Sequence, residues 1–434
     1  MSCLASSSSD HPLPLVDHAQ GVYIYDESGR DYLDGSSGAM AVSIGHGVPE
    51  VLEAMQKQMQ KVCFAYRTQF RNAPAEQLAR ELTELAPGDL NKVFFVSGGS
   101  EATELAIRTS IQYWKSKKRP EKTKVLGRQL SYHGMTMGSL SMSGHSARRA
   151  DYSTLLHPFS VASPPYPYRF DVPDDGQGGA SVWESVIREQ GADTIAAIIV
   201  EPVVGAAGGA LTPPIGYLRA LRAICDKHEI LLIADEVITG LGRTGQWFAC
   251  MHDNIVPDMI ATGKGMSSGY APVGGLLLRD AVIDAIDSSQ LKLFGHTFSG
   301  NPLGAAACLA VVRYMKHHSV LENAVSRAAE LEQGLRALSA KHAWMADVRG
   351  RGLMWGFEFV RDPATKEPLA GSNYRFVELC ADAGLIVYGA GFPPLTNAVL
   401  ICPPLVISAD EVKELLSRLE TALHAFAKEY NLPL

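Results

Sequence analysis

The chain has 434 residues and a net charge of −7, with 39 Lys and Arg against 46 Asp and Glu. Its length allows roughly two to four domains, or one large domain with appendages. An acidic balance whose densest basic stretch is only Lys115–Arg119 argues against nucleic-acid binding, and no run nears the 18 apolar residues of a membrane span.

In chain order, the Ser-rich stretch 1–10 has neither a cationic start nor an apolar core, so it predicts a disordered tail and not a secretory signal. VYIYDESGRDYLD at 22–34 predicts a two-strand hairpin turning at Ser28-Gly29. KVFFVS at 92–97 is a strand, followed by a helix over 101–115 and a short strand at 124–128. The loop-forming DVPDDGQGG occupies 171–179. TIAAIIV at 194–200 is a strand, 216–228 a helix and ILLIADEV at 230–237 a strand. Two further strands fall at 259–262 and 274–278. Continuous apolar runs between helices predict a mostly parallel sheet covered on both faces. Beyond it lie helices over 302–317 and 320–341, short strands around 348–360, a helix near 373–383 and a last helix over 409–430. Ser408 and Glu411 would form the capping box of that last helix.

These elements predict an α/β chain: an N-terminal segment at 1–54, a large domain at 55–305, and a small α+β domain that 306–434 shares with the N-terminal segment. The seven cysteines are scattered and lack CxxC spacing, which predicts reduced thiols, a cytoplasmic protein and no metal site. Forty glycines exceed the roughly 30 that average usage gives, so the backbone must come close to something, or turn tightly, in many places.

Four features sit at predicted strand ends, where open α/β sheets bind ligands. Ser97-Gly98-Gly99-Ser100-Glu101 joins a strand to a helix; its free amides suit a phosphate, although a capped helix behind a tight turn would look the same. Ser131-Tyr132-His133-Gly134 offers an aromatic that could stack on a flat cofactor or be ordinary half-buried packing. Asp235-Glu236 ends a buried strand, where a carboxylate needs a partner: a metal, a helix start or a protonated ring nitrogen. Lys264 lies between glycines just past another strand. Desolvation there would make its amine a nucleophile; a surface lysine is the alternative. Together, a phosphate cradle, an aromatic platform, a carboxylate and a lysine are what pyridoxal phosphate (PLP) demands. Gly240–Gly245 (GLGRTG) matches the dinucleotide fingerprint G-x-G-x-x-G but opens no helix, which argues against that reading.

The chain resembles the class III (ω-amino-acid) aminotransferases of PLP fold type I from about residue 21 to 423. FFVSGGSEATELAIR, SYHG, LLIADEVITGLGRTG, PDMIATGKGMSSGYAPVGG, GHTFSGNPLGAAA and ICPPLVIS carry the resemblance. It implies a large domain with a mostly parallel, mixed sheet plus a small α+β domain. Lys264 would hold PLP as a Schiff base and move the proton. Asp235 would pair with the ring nitrogen, and Gly99 and Ser100 would hold the phosphate. Tyr132 and Val237 would cover the two ring faces, with His133 and Glu201 nearby. Thr297 would reach the phosphate from a partner subunit, which implies a homodimer with shared sites; a dimer of dimers stays open. The implied reaction moves an amino group, by ping-pong chemistry, from an amine, ω-amino or amino acid donor to pyruvate or 2-oxoglutarate. An aminomutase, racemase or decarboxylase on the same scaffold is the alternative.

Relatives acting on ornithine-type donors carry arginines where this chain has Met135 and Leu400. A less polar amine or ω-amino donor is therefore expected. Arg67 is the candidate for meeting a carboxylate, and Met40 for lining the pocket.

Overall fold

The computed structural model describes residues 13–289, 291–369, 371–392 and 396–433. The predicted disordered tail at 1–10 lies outside them.

Buried apolar runs build the central sheet. All six residues of Ile195–Val200 and all five of Leu231–Asp235 are buried, as are Met259–Thr262 and Gly274–Leu278. The spatial order is Lys92–Val96, Gly274–Leu278, Met259–Thr262, Leu231–Asp235, Ile195–Val200, Lys124–Arg128 and Val161–Ala162. Gly274–Leu278 runs antiparallel to both neighbours, and the other pairs are parallel. Alternate side chains serve two cores, as the two-residue period of a strand requires. Ile199 and Ile233 pack with Leu105 and Ile107 of the helix Gly99–Ser116. Ile198 and Leu232 pack with Trp183 and Leu221 on the other side, from helices Val182–Gln190 and Tyr217–Lys227.

The last third forms an antiparallel sheet of Met345–Arg351, Met354–Asp362, Ala398–Ile401 and Tyr388–Ala390. Phe359 stacks on Phe426 of the helix Ala409–Tyr430 at 4.4 Å between ring centroids. Ser408 and Glu411 form the expected capping box.

The N-terminal hairpin pairs Tyr23–Asp26 with Asp31–Asp34, and Gly29 at φ +84° makes the turn. A third strand, Val16–Gln20, joins its edge. Leu385–Ile386 closes the other edge in parallel with Asp31–Asp34, so the first and last parts of the chain share one sheet. Residues 171–179 form the expected loop. The division points at 54 and 305 fall inside helices Pro49–Lys61 and Pro302–His317. The strand expected over 230–237 ends at Asp235, where the chain turns out of the sheet. Among the described residues no helix is long and apolar enough to cross a membrane.

Candidate active site

The strand Lys92–Val96 hands over to an 18-residue helix at Gly99, and Gly98 caps it without a side-chain acceptor. The first-turn amides therefore lack partners within the helix and carry the positive end of its dipole. Space here is limited. A Cβ on Gly99 would lie 2.8 Å from Val237 Cγ1, and one on Gly134 would lie 2.6 Å from Ser100 Oγ. Gly134 also sits at φ +130°, so glycine is required there on two counts. The Met135 amide donates to Ser100 Oγ at 3.1 Å.

Asp235 ends its strand with a buried carboxylate. Oδ2 lies 2.7 Å from His133 Nδ1, and Oδ1 accepts from the Val237 amide at 3.2 Å. With the carboxylate ionised, Nδ1 of His133 carries the shared proton. His133 Nε2 is buried with no partner among the described residues. Glu201, just past Ile195–Val200, accepts the Tyr132 amide on Oε1 and the Gly205 amide on Oε2, both at 2.9 Å. Burial raises its carboxyl above the ordinary range.

Lys264 follows Met259–Thr262 by two residues and takes φ +38°. Its Nζ donates to the Ala39 carbonyl at 2.8 Å. Burial pushes the amine down to about 8, against the pull of the Asp235 and Glu201 charges and with the push of Arg148. This is the environment that makes a lysine nucleophilic and basic at neutral pH.

Gly99, Ser100, Tyr132, His133, Glu201, Asp235, Val237 and Lys264 all line one cavity of about 140 Å³. Three predicted residues do not line it. Thr297 is exposed on the loop before Pro302–His317. Met40 is buried and packs with Val203, Ile238 and Leu400. Arg67 is exposed, its guanidinium 4.7 Å from the Phe94 ring centroid. Glu236 parts company with Asp235: its carboxylate accepts the Ala249 and Cys250 amides and the Thr239 hydroxyl and does not line the cavity.

Sequence reasoning passed over Arg243, read only as part of the GLGRTG turn. The residue is buried, and its guanidinium donates to the carbonyls of Leu353 and Pro403 and to Ser37 Oγ. No helix starts in 240–245. The turn instead ties the Lys264 side of the large sheet to both ends of the chain. Arg148, half-buried and 4.4 Å from the Tyr132 ring centroid, was also passed over. Nothing in its local pattern separates it from a solvated helix arginine.

The class III aminotransferase family matches the chain over residues 4–423. An uncharacterized aminotransferase of Bacillus subtilis (strain 168), YodT, is 41% identical over 430 residues, 96% of each chain. Taurine–pyruvate aminotransferase of Bilophila wadsworthia is 36% identical, covering 95% of this chain and 92% of its own. Among solved structures, an amine transaminase from an uncultivated Pseudomonas species, in its PLP-bound form, superposes with a TM-score of 0.90 at 33% identity, covering 98% of both chains.

Proposed function

The chain belongs to the class III aminotransferases, PLP-dependent enzymes that move an amino group from a donor to a 2-oxo acid, and from that premise we propose that Lys264 and Asp235 are its catalytic residues. The observation that carries this reading is the meeting of three things in one cavity: the Lys264 amine, the Asp235 carboxylate and the uncapped helix start at Gly99.

The donor set fits PLP. Gly99 lets the helix start pack directly against Val237, where any Cβ would collide. The adjoining amides and the Ser100 hydroxyl suit a phosphate. The Asp235 carboxylate, desolvated and aligned by His133, suits a protonated ring nitrogen. When bound, PLP supplies an aldehyde that condenses with amines and a ring that accepts the electron pair released at the substrate Cα. The chain's own residues do the rest. With its affinity for protons lowered to about 8, Lys264 Nζ would take the proton from the substrate Cα and return it two bonds away, on the far side of the amino nitrogen. The Ala39 carbonyl keeps Nζ at the cavity wall. Asp235 keeps its charge at the deep end, where positive charge must persist through the reaction. Glu201 fixes the Tyr132 backbone, so that the Tyr132 ring and Val237 hold a flat group from two elements.

Thr297 completes the phosphate site from a second copy of the chain, in a homodimer with shared sites. Its exposure supports this, together with the exposed apolar side chains around it and across from it: Phe294, Phe298, Phe64 and Phe70. Less polar amine or ω-amino donors fit the exposed Met135 and the fully buried Leu400. The free cysteines, with Cys63 exposed, support work in a reducing compartment such as the cytoplasm.

The test is a ¹⁵N-labelled amine donor with pyruvate. The wild type yields ¹⁵N-alanine; Lys264→Ala yields none, and Asp235→Asn loses at least about 100-fold in rate. Normal turnover by Lys264→Ala would overturn the assignment.

A further inference from the structure

A charged residue behind the cavity's Tyr132 has no counter-charge, and its surroundings indicate what it is for. We propose that Arg148 receives the carboxylate of the 2-oxo acid acceptor, an assignment that rests on the aminotransferase reading above.

Arg148 lies in the short helical turn Ser146–Arg149, beside a wall of the cavity. Its guanidinium carbon is 4.4 Å from the centroid of the Tyr132 ring, and Tyr132 lines the cavity. Its charge reaches Lys264, whose amine it pushes down. Among the described residues no carboxylate pairs with it. The carboxylates that could do so are occupied: Asp235 by His133, and Glu201 by two backbone amides.

The neighbouring Arg149 shows the contrast. It donates to the carbonyls of Leu140, Ser141 and Ser143 at 2.7–2.9 Å and ties the turn down. One arginine of the pair is the anchor, and the other is presented on an aromatic platform. Contact with the ring and a hydrogen bond to the Tyr132 hydroxyl keep the planar guanidinium ordered, while its other N–H groups face no carboxylate. His145, the residue before this turn and 6.4 Å from the Tyr132 ring, is held neutral by burial and by Arg148, with its titration near 4. The positive charge of this turn therefore comes from the two arginines, and of these Arg149 is spent on backbone carbonyls.

Four other arginines are engaged elsewhere. Arg128 donates to the Glu201 carbonyl and Arg243 to three acceptors. Arg349 pairs with Asp347 and Glu358, and Arg67 donates to the Leu293 carbonyl at 3.5 Å. A 2-oxo acid entering the cavity brings a planar carboxylate that matches the open fork in a bidentate pair. Uncharged amines and aldehydes gain nothing from it.

The test uses the PLP-loaded enzyme with Arg148→Met and Arg148→Lys. With pyruvate as acceptor, Arg148→Met raises KM about 10- to 100-fold, the loss of a charge-assisted hydrogen-bonded pair. With propanal, an uncharged acceptor, KM stays within about twofold of wild type, because no such pair forms, and any change in kcat through Lys264 is common to both acceptors. Arg148→Lys falls between, since it keeps the charge and loses the fork. Calorimetric titration with propanoate, which cannot react, gives a Kd at least about tenfold weaker for Arg148→Met. Equal losses with pyruvate and propanal, or unchanged propanoate binding, overturn the proposal. If neither acceptor is aminated by wild type, the aminotransferase reading fails, and the propanoate titration still decides on Arg148.

Discussion

The titration of Lys264 connects the cavity's geometry to its chemistry. In the PLP-free enzyme burial sets the amine near 8, against 10.5 for an ordinary lysine. At pH 7 about 9% of the side chain is then neutral, against about 0.03% for a solvated lysine, a ratio of about 300. Trace acetylation across pH 6–11, read by peptide mass spectrometry at Lys264, measures this directly. The wild-type midpoint is expected at about 8. Asp235→Asn removes the leading charge that holds the proton on, so its midpoint falls below the wild type's. Arg148→Met removes a charge that drives the proton off, so its midpoint rises. The stability linkage has a definite sign: the unfolded chain holds this proton up to about 10.5 and the folded chain releases it near 8. Charging Lys264 therefore costs folding stability below about pH 8, and that cost fades as pH rises from 8 to 10.5. Lys264→Met, PLP-free, should be more stable than wild type at pH 7, with the difference shrinking toward pH 10.5. A wild-type midpoint above 10, or one that neither Asp235→Asn nor Arg148→Met moves, would refute the reasoning.

Three further outcomes follow from packing. Gly134→Ala drives a methyl into Ser100 at a left-handed position; PLP affinity, followed by spectrophotometric titration, should weaken at least about tenfold. Arg243→Ala strands two buried carbonyls and a hydroxyl, so urea denaturation should show a loss of about 3–5 kcal/mol, and an unchanged midpoint would count against the tie. Ser408→Ala removes half of a capping box and should cost about 1 kcal/mol, read from the same denaturation curves.

Much of this was legible in the residues. Strands Met259–Thr262 and Gly274–Leu278 and helices Pro302–His317 and Val320–Lys341 coincide with the predicted ranges, because unbroken apolar runs and helical periodicity are strong local signals. Strand direction was not legible. GGLLL announces a buried strand and says nothing of its reversal between two parallel neighbours. Val16–Gln20 was missed because an edge strand that is mostly exposed has no apolar alternation to read. The cavity residues were readable as a set, since each sits at a strand end with a chemically costly neighbour. Arg243 and Arg148 were not. An arginine's burial, or its contact, is decided by elements more than 100 residues away for Arg243 and by the ring of Tyr132, on a separate segment, for Arg148.

The sheet shared by both ends of the chain has a consequence for synthesis. Asp31–Asp34 leaves the ribosome about 350 residues before Leu385–Ile386, the strand that completes its pairing. At the usual pace of roughly 5–20 residues per second, that edge waits about 20–70 s with its ladder unfilled. Over that interval the nascent hairpin exposes Leu33, later fully buried. The central sheet, whose strands span residues 92–278, can form while the hairpin waits.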